Sequence, residues 1–156
     1  MKRIAVIRIR GSKGVRREIK DTMSFLRLNN KNHCVIIDNK PTHVGMLRKI
    51  KDYVTWGEVD EKTFRELLLK RGKTVGKKSL TENYLKEKTK LSADDFVKEF
   101  FNFKKSLKDV PGLKPFFRLK PPIKGFERKG IKTPFSMGGA LGYRKEKIND
   151  LIIRML

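Results

Sequence analysis

The 156-residue sequence is poor in the groups that most often carry chemistry: it has one cysteine, two histidines and one tryptophan. A lone thiol, Cys34, cannot close an internal disulfide. With only His33 and His43 beside it, a structural zinc site lacks ligands. Long hydrophobic runs are missing too. The opening MKRIAVIRIRG is basic and apolar, but Arg8 interrupts it after four apolar residues, so neither a membrane span nor a secretory leader is read there. A cytosolic chain is expected. Acid is the scarcest commodity of all: 17 Asp and Glu stand against 39 Lys and Arg, a net charge of +22. A thermophilic surface would raise Glu together with Lys, which is not the balance here.

The excess of base is built into every part of the chain. Residues 1–60 carry 14 basic and 6 acidic groups (+8), residues 61–110 carry 14 and 8 (+6), and residues 111–156 carry 11 and 3 (+8). Self-repulsion on this scale opposes a compact fold unless a polyanion neutralises it. Nucleic acid is the polyanion that fits, because each neutralised phosphate releases counterions. A membrane surface fits less well, since no long basic amphipathic helix or lipidation signal is present. Hydrophobic residues make up 38% and aromatics 9%, enough for a modest core in one structural unit.

Periodicity predicts three short strands and two helices in the first sixty residues. Ile4–Ile9 (IAVIRI) is β-branched and bounded by the turn Gly11-Ser12-Lys13-Gly14. Val15, Ile19, Met23 and Leu26 recur at helical spacing over 15–28, and the NNKN run ends that helix. His33–Asp38 (HCVIID) reads as a strand. Pro41 suits a helix start, with Val44, Leu47 and Ile50 on one face. Tyr53–Val59 (YVTWGEV) completes a β-α-β-α-β order with helices expected on one face of a small sheet.

After Asp60 the texture becomes helical. A helix capped by Asp60 and closed by Gly72 is expected, then an exposed basic loop over 73–80 and a short helix over 81–88. Ser92 and Asp95 resemble a capping box, followed by Phe96, Phe100, Phe103 and Leu107 at helical spacing, an aromatic stripe read as core. Val110-Pro111-Gly112 breaks the chain, and Phe116–Lys120 is a candidate strand. A last helix over 146–155 presents Ile148, Leu151 and Ile152.

Enzyme chemistry finds no foothold. GKTVGKKS at 72–79 fails as a phosphate-binding loop, because three residues separate Gly72 from Gly76 and Lys78 stands where a magnesium-holding hydroxyl is needed. The GGALG run at 138–142 lacks dinucleotide spacing. Cys34 lies within a strand, as an inert core thiol would. No cofactor, metal or small-molecule substrate is implied. What remains is the stretch 115–135, PFFRLKPPIKGFERKGIKTPF, which holds Glu127 as its one acid. Rich in proline and glycine, it buries too little apolar area to order itself, so residues 121–143 are expected to be mobile without a partner. A solvated linker is the bland alternative, but linkers rarely hold Phe116, Phe117, Phe126 and Phe135 together.

The segments RIRGSKGVRREIKDTMSFLRL, NHCVIID and THVGMLRKIKDYVTWGEV together resemble the universal large-subunit ribosomal protein thirty family. FRLKPP, GIKTPF, GGALGYR and INDLI resemble its longer archaeal form, whose eukaryotic counterpart is large-subunit ribosomal protein seven. The resemblance implies an α+β fold: a ferredoxin-like β-α-β-α-β two-layer core (1–60) with a small antiparallel sheet. A helical extension (61–110) and a basic Pro/Gly-rich segment (111–156) follow. It also implies a structural role in the large ribosomal subunit. The partners would be large-subunit RNA of the 23S type, possibly 5S RNA, and neighbouring ribosomal proteins. The competing class is a free RNA-binding regulator or chaperone on the same fold, which would more naturally carry an aromatic sheet face. Candidate RNA contacts are Arg8, Arg10, Gly11, Lys13, Gly14, Arg16 and Arg17 around the first turn, and His43, Arg48 and Lys49 on the second helix. Arg118, Lys120, Lys124, Arg128, Lys129, Lys132 and Arg144 complete the set in the last segment.

Overall fold

The computed structural model describes residues 2–156, and every side chain among them except that of Lys77. Strand β1 (Arg3–Arg8) is buried at every position, and its alternating side chains explain the whole architecture. Ile4 and Val6 enter one apolar cluster with Met23, Leu26 and Leu28 below helix α1 (Arg17–Phe25) and Leu47 of α2 (Pro41–Lys49). Ala5 and Ile7 point the other way, into a larger cluster built by α3 (Glu61–Arg71), α5 (Ala93–Phe101) and α6 (Ile148–Met155). Both faces of the sheet are therefore covered. The two-layer core expected from the first sixty residues is present, and the later helices add a third layer on its open side.

The central sheet is the antiparallel trio β2 (His33–Asp38), β1 and β3 (Val54–Glu58). Two strands of two residues each widen it to the order β4-β2-β1-β3-β5. Strand β4 (Phe117–Arg118) pairs antiparallel with β2, and β5 (Gly142–Tyr143) pairs parallel with β3. Both come from the last region of the chain, so the segment read as basic and extended supplies both edges of the sheet, one of them within the Phe116–Lys120 candidate strand. Gly57 marks where that segment crosses β3: a Cβ there would collide with the carbonyl of Lys145.

Helix α3 starts after Asp60, whose side chain makes no capping bond. Half of the capping box expected at Ser92 is present: Ser92 Oγ accepts from the Asp95 amide at 3.2 Å, but the Asp95 carboxylate accepts from the Ser92 hydroxyl and not from its amide. The complete box lies at Ser106 and Asp109. Helix α4 (Glu82–Thr89) is capped by Thr81 as α5 is by Ser92. The expected aromatic stripe is shorter than its spacing suggested. Phe64, Phe96 and Phe100 are buried, with Phe64 stacked on Phe100 at 4.4 Å, but α5 ends at Phe101 and Phe103 turns to a φ of 60°. The cause is Arg3. Its guanidinium donates to the Phe100 and Lys105 carbonyls, pairs with Asp38 and lies over both the Phe100 and Phe103 rings, at 4.1 and 4.3 Å. An end-of-helix carbonyl claimed by a buried arginine leaves no reason to extend the helix. The 73–80 loop is likewise more structured than read: Lys73 bridges Ser79, Thr74 bridges Leu113, and Leu80 is buried.

The stretch 121–143, read from sequence as unable to order itself, is stitched into the fold. The Ile123 amide donates to the Arg154 carbonyl at 2.8 Å, Ala140 to Gly130 at 3.1 Å and Phe135 to Leu141 at 2.7 Å. Ala140 and Leu141 are buried with Ile9 in a small third cluster, with Phe126 and Ile131 against it. Composition understated it because the apolar partner, Ile9, comes from a distant part of the chain.

Candidate nucleic-acid interface

The strand register defines one end of the sheet, where Arg8 lies opposite Val54 and His33 lies opposite Arg118. The β1–α1 loop, the α1–β2 loop and the start of β3 converge there on an open cleft of about 710 Å³. Its rim carries Arg10, Lys13 and Lys31, with Asn29, Asn30 and Tyr53 between them. Gly14 adopts a φ of 67°, the left-handed conformation that lets the loop turn back into α1. Gly11, Lys13, Arg16 and Arg17 are exposed, and Arg17 has only a loose 3.9 Å contact with Asp21. Arg16 occupies the α1 N-cap without a side-chain cap, so the first amides of the helix meet no acceptor from it. Arg10 is held half-buried, donating to the Asp52 carbonyl at 3.2 Å and lying 5.2 Å from the Tyr53 ring centre.

Other candidates fall around this end in differing states. Helix α2 returns to the same end, bringing exposed Arg48 and Lys49; Lys49 makes a 3.4 Å surface pair with Glu18. Arg118, on the β4 edge, and Lys120, Lys124, Arg128, Lys129 and Lys132 are all exposed, and none forms a salt bridge among the described residues. His43 lies at the far end of the sheet, half-buried, with Nδ1 2.9 Å from the Asp38 carbonyl.

Two candidates have other employment. Arg8 is 3% exposed and donates to the carbonyls of Arg10, Leu28 and Asn29, where it satisfies the chain leaving α1. Arg144 is 2% exposed. It grips both Glu127 carboxylate oxygens at 2.6 and 3.2 Å, donates to Thr55 Oγ1 and the Ala140 carbonyl at 2.8 Å each, and lies under the Phe135 ring. Arg8 lines the floor of the cleft with its guanidinium bonded to backbone carbonyls, whereas Arg144 is not among the residues that line it. Residue type alone could not separate these buried arginines from exposed ones.

Four cleft residues escaped the sequence reading, among them Tyr53, which registered only as the start of a strand. Asn29, Asn30 and Lys31 belong to the NNKN run, which registered only as a helix stop; its lysine flanked by amides was the available signal. Three half-buried acids serve the fold. Asp38 serves Arg3, Glu127 serves Arg144, and Glu58 accepts from the Tyr143 hydroxyl at 2.5 Å, a bond that together with burial pushes that phenol up to about 12. Burial, the largest single influence, would raise Glu127, but the Arg144 hydrogen bonds, a backbone hydrogen bond and the Arg144 and Arg154 charges together outweigh it and hold the carboxyl below its ordinary range. Cys34 is fully buried and its thiol is driven far upward by desolvation, which suits packing and not nucleophilic chemistry. Among the described residues no cluster of metal-ligating side chains occurs, and no helix is long and apolar enough to cross a membrane.

Residues 4–54 match the family described as ribosomal protein L30p/L7e. The chain is 52% identical over 149 residues to Large ribosomal subunit protein uL30 of Methanopyrus kandleri, covering 95% of this chain and all of that one. It is 51% identical over 152 residues to the protein of that name in Methanococcus maripaludis strain C5, and likewise in Nanoarchaeum equitans, covering 97% of this chain and 98% and 97% of theirs. The matched family region is the β-α-β-α part of the core, and the relatives extend the likeness over both added regions: the chain belongs to the ribosomal protein L30p/L7e family, in its archaeal form.

Proposed function

We propose that this chain is a structural constituent of the large ribosomal subunit, acting in the cytoplasm, that clamps 23S-type RNA near the 5S RNA with the loop end of its sheet. It is not an enzyme. The observation that carries the reading is the distribution of charge: Arg10, Lys13, Arg16, Arg17, Lys31, Arg118 and Lys120 crowd one end of the fold, and no acid is among the described residues that line the cleft there. Backbone amides at the start of α1 and lysines around the cleft suit phosphate oxygens, which fix register without reading sequence. The basic segment 118–132 extends the same surface, bringing Lys124, Arg128, Lys129 and Lys132 to further phosphates and neighbouring subunit proteins.

The test is assembly. Replacing Lys13, Arg16 and Arg17 by alanine is expected to weaken incorporation into large subunits on sucrose gradients, with circular dichroism unchanged. Normal incorporation of the triple variant would refute the role given to the cleft, and a chain found wholly outside ribosomes would refute the structural role itself.

A further inference from the structure

A second recess lies at the β4 edge, away from the cleft. Its volume is about 260 Å³, and the described residues that line it are Lys73, Lys114, Phe116 and Arg118. The set is unusual in kind: three cations, one aromatic ring and no acid. The cations come from two separate parts of the chain, tied by the Lys114 amide donating to the Lys73 carbonyl at 2.9 Å. Lys73 is steadied by Ser79 Oγ at 2.8 Å, and no salt bridge among the described residues consumes any of the three charges.

Phe116 is half-buried and stacked on His33, with ring centres 5.0 Å apart and planes 23° apart. His33 is 4% exposed, and its Nδ1 has no hydrogen-bond partner among the described residues. Desolvation, then the Arg118 charge, push its imidazole below the ordinary range, so it backs the phenyl ring as a neutral plate. A stacked pair of rings anchored in the sheet is a rigid platform, and ordering it adds little entropy cost when a third ring joins. Cations beside such a platform match a nucleotide, whose base stacks while its phosphate is neutralised.

We propose that this recess captures one unpaired, splayed-out nucleotide of RNA, its base on Phe116 and its phosphate among Lys73, Lys114 and Arg118. This rests on the RNA-binding reading above and adds a base-stacking site to it. Single-stranded positions are the ones that can supply such a base, so the segment recognised is a bulge or loop and not a continuous helix.

The probe is a short unpaired oligoribonucleotide of uridines with 2-aminopurine at its centre, added to the full chain. Stacking is expected to quench the 2-aminopurine fluorescence. Phe116→Leu, which keeps an apolar wall but removes the ring, is expected to lose the quench and weaken binding roughly 5- to 100-fold. Phe116→Trp is expected to restore both, which separates stacking from damage to β4. Lys114→Ala is expected to lower the slope of log affinity against log salt by about 0.7, one phosphate contact on a single strand. A folded Phe116→Leu chain that binds and quenches like the parent would overturn the proposal, as would binding with no quench at all, the mark of a purely electrostatic surface. The triple alanine variant at Lys13, Arg16 and Arg17 keeps the two readings apart. It tests the cleft against large-subunit RNA and leaves the quench at Phe116 in place.

Discussion

The first sixty residues and the segment from Phe117 to Arg144 both end in the same sheet, but they are held there by different means. The core strands are fixed by alternation: every second side chain of β1 enters a different apolar cluster, and no single contact decides the outcome. In the late segment Phe117 and Leu119 anchor β4 in the larger cluster, but beyond them the apolar anchors are few, chiefly Ala140 and Leu141 against Ile9. The chain there gathers around the ion pair of buried Arg144 with half-buried Glu127. Burial spread over many side chains tolerates loss in part. A buried pair does not, because removing one partner strands the other's charge.

The sharpest way to test this contrast begins in the core. Phe64→Ala, which empties the stack on Phe100, is expected to cost roughly 4 kcal/mol and to lower the whole melting transition as one event, followed by circular dichroism and urea titration.

In the late segment the expected loss is local. Glu127→Ala leaves the Arg144 guanidinium buried without its carboxylate, a cost of roughly 3 kcal/mol. Hydrogen exchange is expected to accelerate at the Ala140 and Leu141 amides, which donate to Gly130 and Thr133, while β1 amides keep their protection. Equal acceleration in β1 would show that the two regions unfold together and would erase the distinction.

A smaller effect is expected in RNA affinity. Removing Lys13, Arg16 and Arg17 is expected to reduce the salt slope by about 2, whereas Arg144→Lys is expected to leave it unchanged, since Arg144 serves the fold. A matching slope change for Arg144→Lys would return that residue to the interface.

The smallest concerns pH. His33 has a folded value below its ordinary 6.5, so the unfolded chain takes up its proton first as pH falls. Stability is expected to be full above the ordinary value of 6.5 and to decline as pH falls through it, read as a falling urea midpoint that His33→Gln flattens. The Glu127 contribution, with its folded value depressed, is lost only further into acid.

What could be read beforehand divides along the same line. The β1, β2 and β3 strands and the helices between them were legible because their apolar spacing is local and repeats. Their observed bounds differ by a few residues at the ends, as in α1, which begins at Arg17 and not Val15. The exposed loop at Gly11–Arg17 was legible for the same reason: glycines and cations adjoin it in sequence. Strand β5, the internal roles of Arg8 and Arg144, and the early stop of α5 were not legible. Each depends on a partner far along the chain, such as Thr55 for Arg144 or Arg3 for Phe100, and no periodic signal marks such pairs. Lys73 and Lys114 join Phe116 only through a bridge between two loops, which is why that recess was missed.

The placement of the two shortest strands has a consequence for the chain during its synthesis. Strands β4 and β5 close the sheet on both sides, yet Phe117 and Gly142 leave the translating ribosome long after β3 is complete at Glu58. At about 5–20 residues per second, the nascent core waits on the order of ten seconds with both margins of its sheet unpaired. Open margins of this kind are where chains join one another wrongly. A truncation after residue 116 would freeze the molecule in that interval, and its self-association would measure how much protection two dipeptides provide.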